Sequence, residues 1–251
     1  MTDIKQISSI RTAAVLVFCL SALTAGAQTA EEIIREVDER NRTDTSVMNL
    51  IMDVYPDSRD ERDSRRFVIT GYGRGESEST MVFTEPRSLN GLSLLSLGDD
   101  QWIYFPSTGR VRKIAGRSKN ESVQGVGGDF SYEDLSAGDW LEKYEFAIID
   151  ENRRTWTLSG NPRKDSSYSR IEVTIDKRRW QVIRVLYWQN GQAPVKELIM
   201  DDFRNLDGRE VASVTTMMNL EKGSKTIITT TDAEWNPPLN DARFSPHRFW
   251  K

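Results

Sequence analysis

Trp102-Ile103-Tyr104-Phe105-Pro106 opens a stretch that continues through the basic Arg110-Val111-Arg112-Lys113-Ile114 and ends with Gly127-Gly128-Asp129-Phe130-Ser131-Tyr132-Glu133-Asp134-Leu135. The stretch interrupts a sequence that elsewhere has the simple alternation of antiparallel strands. It concentrates aromatic side chains, turn residues and acidic groups within little more than thirty positions, without a histidine or cysteine as a catalytic partner. This combination favours a binding surface over an active site.

The sequence around this stretch has the two-residue period of β-strands. Apolar residues alternate in Phe67 and Ile69, in Met81 and Phe83, and in Ile171, Val173 and Ile175. Turn pairs such as Asn190-Gly191 and Asp207-Gly208 separate these runs and are typical of hairpins. The pattern predicts a mainly β (α+β) fold with about ten antiparallel strands. A sheet of that size is expected to twist and curl.

Several predicted strands are apolar on both faces. Ile183, Val185 and Tyr187 alternate with Val182, Leu186 and Trp188. A sheet with one face in water would show a polar set at every second position. Either helices and loops cover the second face, or the face lines a ligand cavity. The two interpretations are compatible, because a covered sheet can be imperfectly filled.

A short amphipathic helix is predicted at the start of the exported chain. Thr29-Ala30-Glu31-Glu32 has the form of a capping box, and Ile33, Ile34 and Val37 follow at helical spacing. The apolar side of this helix needs a surface to cover. We expect it to close the curled sheet as a lid.

The N-terminus has the features of a secretory signal peptide. Lys5 and Arg11 precede an apolar run at 13–20, and Ala25-Gly26-Ala27 supplies the small residues that signal peptidase needs. Cleavage after Ala27 predicts export and one domain spanning residues 28–251. Cys19 is the only cysteine, so no disulfide is expected after cleavage. With a formal net charge of −4, the protein is also a poor candidate for nucleic-acid binding.

The residue content argues against enzyme chemistry. His247 is the only histidine and lies near the C-terminus, so zinc sites and a Ser-His-Asp arrangement have little to draw on. Adjacent carboxylates such as Glu133 and Asp134 would point to opposite faces of a strand. We predict no catalytic residues, no metal site and no cofactor.

The basic residues Arg110, Arg112 and Lys113 allow two interpretations. They could dock lipid phosphates or an acidic partner, because a surface cluster concentrates positive potential. They could equally belong to a solvated hairpin. They remain candidates for partner docking.

Five segments of the chain together resemble the LolA-like outer-membrane lipoprotein-sorting family. The segments follow the family's order of F-x-x-P, G-x-x-L, W-x-Y-x-P, a basic stretch and G-x-D-F-S-Y-E-D-L. In this chain they are Phe83-Thr84-Glu85-Pro86, Gly91-Leu92-Ser93-Leu94-Leu95, Trp102 to Pro106, Arg110 to Ile114 and Asp129 to Leu135. One departure is Ser122 to Gly128, which stands where family members usually have a Phe-Met pair before the glycine.

The resemblance implies a LolA/LolB-like curved antiparallel half-barrel, closed by a few helices around a hydrophobic cavity for acyl chains. The expected protein is a periplasmic, monomeric, non-enzymatic carrier for lipoproteins or other lipid-like ligands, with a possible RND-type exporter or outer-membrane acceptor as partner. The expected cavity residues are Met81, Phe83, Leu94, Trp102, Tyr104, Phe130, Tyr132, Ile171, Val173, Leu186 and Trp188. The altered residues from Ser122 to Gly128 could change the cargo.

A different class of function remains open from the sequence. The protein could be a periplasmic sensor or adaptor that docks on an RND-type exporter or regulatory partner through the basic hairpin and the acidic segment.

Overall fold

The computed structural model describes residues 28–136 and 138–251, and the signal peptide predicted at residues 1–27 lies outside them. The chain contains two α-helices and fifteen strands in the described part. The helices are α1 (Ala30–Asn41) and α2 (Trp140–Lys143). The strands are β1 (Thr45–Tyr55), β2 (Arg65–Arg74), β3 (Glu78–Glu85), β4 (Ser93–Leu97), β5 (Asp100–Phe105), β6 (Arg110–Ile114), β7 (Ser122–Val123), β8 (Gly127–Ser131), β9 (Tyr144–Glu151), β10 (Thr155–Pro162), β11 (Arg170–Asp176), β12 (Gln181–Trp188), β13 (Lys196–Leu206), β14 (Arg209–Asn219) and β15 (Ser224–Trp235).

Thirteen of the strands form one open antiparallel sheet. Its order is β6-β5-β4-β3-β2-β1-β15-β14-β13-β12-β11-β10-β9, and β7 and β8 form a separate hairpin. The sheet therefore consists of two meanders joined where β1 pairs with β15. No helix among the described residues is both long enough and apolar enough to cross a membrane.

The prediction of a mainly antiparallel sheet is confirmed, but the count of about ten strands is wrong. The short edge strand β6 shows why the count was low. Four of its five residues are exposed, so it carries no apolar alternation and its sequence shows only as a basic run. The central strands β13 and β14 are long and mix polar with apolar residues on both faces. Pairing with neighbours, which sequence periodicity does not report, makes them strands.

One face of the sheet carries almost all of the core, and we call it the covered face. On one half, the buried side chains of α1 pack with strands β9 to β14 around Leu158, Val173 and Val185. On the other half, strands β1 to β6 pack around Phe67, Ile69 and Ile103. Leu135 and Ile228 touch both clusters. The interior is thus one apolar layer between the sheet and what covers it.

Helix α1 covers the first half of this face, as its sequence predicts. Thr29 accepts a hydrogen bond from the Glu32 backbone at 3.2 Å, and the Thr29 backbone donates to Glu32 at 2.8 Å. The capping box is therefore present. Ile33 and Ile34 are buried on the sheet side of the helix. Their burial, more than helix propensity, holds so short a helix in place.

The other half is covered by the chain between β6 and β9, residues 115–143, which we call the crossing segment. Because β6 and β9 are the two opposite edges of the sheet, the chain that joins them must cross a face. Its hairpin β7–β8 packs on the central strands β1, β14 and β15. Val123, Val126 and Tyr132 of this segment are buried in the second cluster.

Gly128 allows the crossing segment to lie directly on the sheet. Its φ of +83° favours glycine, and a Cβ at this position would meet Thr226 Oγ1 at 2.9 Å and Val54 Cγ2 at 3.1 Å. Gly127 and Gly128 belong to strand β8, where Gly128 makes a close contact with the sheet.

We expect Gly128→Ala to destabilise the protein more than Gly208→Ala. Gly208 has nearly the same φ, +86°, but nothing lies within 4 Å of its Cβ position. Gly208→Ala should cost about 1 kcal/mol for the backbone alone, and Gly128→Ala about 1–3 kcal/mol more for the collision with β15 and β1. Urea unfolding of both variants measures the difference. Equal losses would show that the crossing segment does not depend on close contact here.

The side of α1 that faces α2 carries an acidic cluster. Burial, with the charges of Asp139 and Glu76, raises the pKa of Asp38 from 3.8 to about 7. Between about pH 4 and pH 7, the folded protein therefore holds a proton on Asp38 that the unfolded chain has already lost. Since the folded state binds more protons, this group makes stability fall as pH rises from about 4 to about 7.

Asp38→Asn should accordingly remove part of that decline and stabilise the protein at pH 8 more than at pH 5. Thermal unfolding at both pH values measures the effect, with Asp63→Asn in an exposed loop as the matched control. A stabilisation that is the same at both pH values would contradict ionisation of Asp38 as its cause.

Candidate functional site: a cavity beneath the crossing segment

A cavity of about 190 Å³ lies between the second half of the crossing segment and the covered face. Residues from both meanders of the sheet and from the crossing segment meet there. Gln101 on β5 forms one side, Ile171 on β11 and Tyr187 on β12 form another, and Glu133 to Tyr144 close it from above. The cavity thus sits where the two halves of the core meet under their cover.

Aromatic rings form much of its wall. Tyr168 and Tyr187 lie 4.7 Å apart between ring centroids, and Trp140 and Tyr144 lie 6.5 Å apart. Burial raises the pKa of Tyr168 and Tyr187 well above the ordinary value and raises that of Tyr144 to about 12. All three rings are therefore neutral phenols at physiological pH. They give the cavity an amphipathic wall with no phenolate nucleophile.

Asp134 fixes the crossing segment at the edge of this cavity. Its side chain is 1 % exposed and lies 2.7 Å from the Lys196 ammonium on β13. It also accepts hydrogen bonds from the Ser131 backbone at 2.8 Å and from the Tyr168 hydroxyl at 2.6 Å. A buried carboxylate is tolerated when it is paired and hydrogen-bonded in this way. Asp134 therefore joins the crossing segment to the second meander.

Glu133 makes a similar connection to the loop before β11. It accepts hydrogen bonds from the Ser166 hydroxyl and from the Ser167 backbone and hydroxyl, the backbone bond being 3.0 Å long. Asp129, further back in the segment, accepts from the Ser224 and Thr226 hydroxyls of β15. The acidic residues of the Asp129–Asp134 motif thus hold the segment to the sheet.

Lysines surround the mouth of the cavity. Lys164 lies 3.1 Å from an Asp99 carboxylate oxygen, Lys119 donates to the Asp99 carbonyl at 2.6 Å, and Lys143 donates to the Ser136 hydroxyl at 2.9 Å. Burial acts to raise the pKa of Asp99, but Lys164, Lys143 and Lys119 outweigh it and lower that pKa. Burial lowers the pKa of Lys143, because it disfavours the charged ammonium. The mouth is polar, whereas the wall beneath it is aromatic.

The predicted cavity residues divide between the two faces of the sheet. Seven lie on the covered face or in the crossing segment above it: Met81, Phe83, Leu94, Phe130, Tyr132, Ile171 and Val173. Of the eleven, Ile171 lines the cavity. The others of this group belong to the packed core around it.

The remaining four predicted cavity residues do not face the core layer. Trp102 and Tyr104 alternate with the buried Gln101 and Ile103, and Leu186 and Trp188 alternate with Val185 and Tyr187, so strand geometry directs them to the opposite face. On that face, three of the four contact a neighbouring side chain. Tyr104 stacks on Trp250 at 4.6 Å, Lys113 lies 5.2 Å from the Trp102 ring, and Arg170 lies 4.1 Å from the Trp188 ring.

The predicted docking residues lie on the exposed edge strand β6, but they do not all share one side of the strand. Arg110 and Arg112 share the side of the buried Ile114, whereas Lys113 faces the other way. Lys113 forms an ion pair with Asp100 at 2.9 Å. The basic stretch therefore divides between two faces and does not form a single patch.

Sequence reasoning missed the polar residues of the cavity, above all Gln101 and the three lysines. Gln101 alone carried a usable signal. It stands two residues before the buried Ile103, at a position where the strand pattern calls for an apolar side chain. The lysines come from three separate connections between strands, and only the fold brings them together.

Replacing Asp134 should be strongly destabilising. Asp134→Asn leaves the Lys196 ammonium, which is 13 % exposed, without its counter-ion, at a cost of about 3–5 kcal/mol. Asp60→Asn is the matched control, because Asp60 lies 2.6 Å from Arg62 in a solvent-accessible pair at the surface and should change stability little. Guanidinium unfolding measures both. Adding Lys196→Met should recover part of the loss, and no recovery would contradict the pairing.

Comparisons with known proteins agree with this architecture. A family model whose description reads "Uncharacterized protein"-like matches residues 75–250. A comparison with curated protein sequences finds no match. Among solved structures, an outer membrane lipoprotein-sorting protein domain from Vibrio parahaemolyticus is 24% identical with a TM-score of 0.78, over 88% of this chain and 97% of that one.

Two further structures are similar. A DUF1329 family protein from Desulfovibrio piger is 22% identical with a TM-score of 0.76, over 85% of this chain and 95% of that one. A LolA superfamily protein from Nitrosomonas europaea is 18% identical with a TM-score of 0.71, over 87% and 98%. The chain therefore belongs to the family matched over residues 75–250, and it has the LolA-like fold of the outer-membrane lipoprotein-sorting proteins.

Proposed function

We propose that this protein is a periplasmic, non-enzymatic carrier that binds the acyl chains of lipoproteins, or other lipid-like ligands, between the covered face and its cover. The observation that carries the proposal is the construction of the interior. An apolar layer extends under both α1 and the crossing segment, and among the described residues the only other sheet over it is the two-stranded β7–β8 hairpin. Its cover consists of separate pieces held by a small number of polar contacts.

The energetics of such a carrier are favourable. Burying each methylene of an acyl chain is worth about 0.8 kcal/mol. A chain of fifteen methylenes therefore supplies about 12 kcal/mol before costs are subtracted. This is of the same order as the cost of breaking the contacts made by Asp129, Glu133 and Asp134 when the crossing segment lifts. The interior needs to be apolar, and it needs no reacting groups.

The cavity is too small for a whole acyl chain in the form described. Ligand pockets usually have volumes of about 300–1,000 Å³, whereas this one measures about 190 Å³. Binding therefore requires the crossing segment to move away from β15 and β1. The cavity is a gap in the contact between the cover and the sheet, and we place the start of opening there.

The state of the acidic residues supports a role without catalysis. Glu133 and Asp134, the adjacent carboxylates nearest the cavity, already accept hydrogen bonds from serine and tyrosine side chains, and Asp134 also pairs with Lys196. The hydrogen-bonding capacity of both carboxylates is thus taken up within the protein. Both act to hold the cover in place.

The location and assembly follow from the same proposal. The predicted signal peptide would deliver residues 28–251 to the periplasm, where a monomer would carry its ligand between membranes. An exporter or outer-membrane acceptor remains the proposed partner. The sensor or adaptor alternative has less support, because Arg110, Arg112 and Lys113 divide between two faces and Lys113 is paired with Asp100.

A reversible lock on the crossing segment tests the proposal. Residues 28–251 contain no cysteine, so Gly128→Cys with Thr226→Cys would introduce a single pair. The Cβ position at residue 128 lies 2.9 Å from Thr226 Oγ1, the atom that the cysteine sulfur would replace, so the disulfide takes the place of this close contact. Because Thr226→Cys also removes a hydrogen bond to Asp129, the reduced double variant is the reference for its oxidised form. We expect the reduced protein to bind a fluorescent palmitoylated peptide and the oxidised protein to bind it about tenfold more weakly or more slowly.

The matched control places a disulfide where it cannot restrain the cover. Thr157 and Thr174 face each other across β10 and β11 on the side away from the core layer. Oxidising a Thr157→Cys, Thr174→Cys pair should leave binding unchanged. If the delipidated wild-type protein binds no acylated peptide, phospholipid or hydrophobic probe, the carrier proposal fails. If the 128–226 lock has no effect, the ligand does not enter beneath this segment.

A further inference from the structure

Gln101 has an unsatisfied acceptor at the wall of the cavity. Its side chain is 4 % exposed, and its Nε2 donates to Ser96 Oγ at 3.1 Å and to the Tyr132 carbonyl at 2.7 Å. Its Oε1 is buried and has no hydrogen-bond partner among the described residues. A buried acceptor left unpaired is costly, so such an atom calls for a partner from outside the chain.

The orientation of this amide is fixed by its neighbours. The Tyr132 carbonyl can only accept a hydrogen bond, so the nitrogen of the Gln101 amide must face it. Turning the amide around would place two acceptors against each other. The oxygen therefore has no partner within the described residues. Because it is sealed from the cavity in this form, a ligand group reaches it only as the cover loosens, and that group must be an N–H or an O–H donor.

The surroundings define the rest of the ligand. Ile171, Tyr168 and Tyr187 provide an apolar and aromatic wall that continues into the core layer. At the mouth, Lys119 and Lys164 each contact Asp99. An ammonium has three N–H donors, so each of these lysines can also meet an acceptor on a ligand. The cavity volume suits a small polar head and not the chain attached to it.

We infer that this cavity is the head-group site of the carrier, and that Gln101 Oε1 accepts a hydrogen bond from an N–H or O–H that adjoins the acyl chain. The inference rests on the proposed function and deepens it. The ligand class is an amphipath whose head has a donor next to the chain and an acceptor further out for Lys119 or Lys164. Both an N-acyl amide and an acylglycerol hydroxyl have this chemistry.

Pairs of ligands that differ by one donor test the inference. N-palmitoylglycine is compared with N-palmitoylsarcosine, which lacks the amide N–H, and 1-palmitoylglycerol is compared with its di-O-methyl ether. Affinities come from displacement of a fluorescent fatty acid from the delipidated protein. We expect the parent ligand to bind about five- to tenfold more tightly in at least one pair, as for one added hydrogen bond. Which pair responds identifies the source of the donor.

Variants of Gln101 separate recognition from structure. Gln101→Met removes the acceptor and should abolish the preference within the responding pair. A role limited to holding Tyr132 in place would weaken both ligands equally and leave the preference intact. If Gln101→Met does not fold, the wild-type protein alone still tests the site, because the comparison within each ligand pair needs no variant.

The outcomes distinguish the two proposals. If no palmitoyl ligand binds, the carrier function fails. If palmitoyl ligands bind but neither pair shows a preference, the carrier function stands and the head-group site is overturned. Gln101 Oε1 then accepts a hydrogen bond from an ordered water only. A preference that persists in Gln101→Met would also overturn the site.

Discussion

The structure depends on one topological constraint, the need for the chain to cross its own sheet. Strands β6 and β9 follow each other in sequence but form opposite edges of thirteen paired strands. The connection between them has to be attached to the face that it crosses. A buried carboxylate makes this attachment at the centre, where Asp129 accepts from Ser224 and Thr226 of β15. In a dry interior such a bond is strong when made and costly when broken.

The use of polar contacts to hold an apolar cover has a consequence for function. Hydrophobic contacts are not directional, so an apolar cover could settle in many positions over an apolar face. Asp129, Glu133 and Asp134 restrict the crossing segment to one position because each needs particular donors. A cover held in this way opens at a few defined bonds. A carrier that has to release its ligand on contact with an acceptor would use such bonds as its points of control.

The sequence predicted the antiparallel sheet and the capped helix α1. These features depend on local patterns, such as the capping box at Thr29 and the alternation from Ile171 to Ile175. It could not predict which face each aromatic side chain would meet. Trp102 and Phe130 both look like cavity residues in sequence, but one lies opposite the core layer and the other within it. The difference depends on strand register and on the path of the crossing segment, which are long-range properties.

The Asp129–Asp134 motif illustrates the same limit and shows what the structure adds. In sequence, Glu133 and Asp134 look like a weak pair of adjacent carboxylates. In the fold they extend in different directions and join the crossing segment to two separate parts of the second meander, the loop at Ser167 and strand β13 at Lys196. Gly128 precedes them and lies so close to β15 that a Cβ there would come within 2.9 Å of Thr226 Oγ1. Where the resemblance leads us to expect a Phe-Met pair, this chain has glycine and polar residues. The space that remains is lined by Gln101, by the rings of Tyr168 and Tyr187, and by Trp140 of the crossing segment. Under the proposed function, the sheet and its cover would therefore both take part in selecting a ligand.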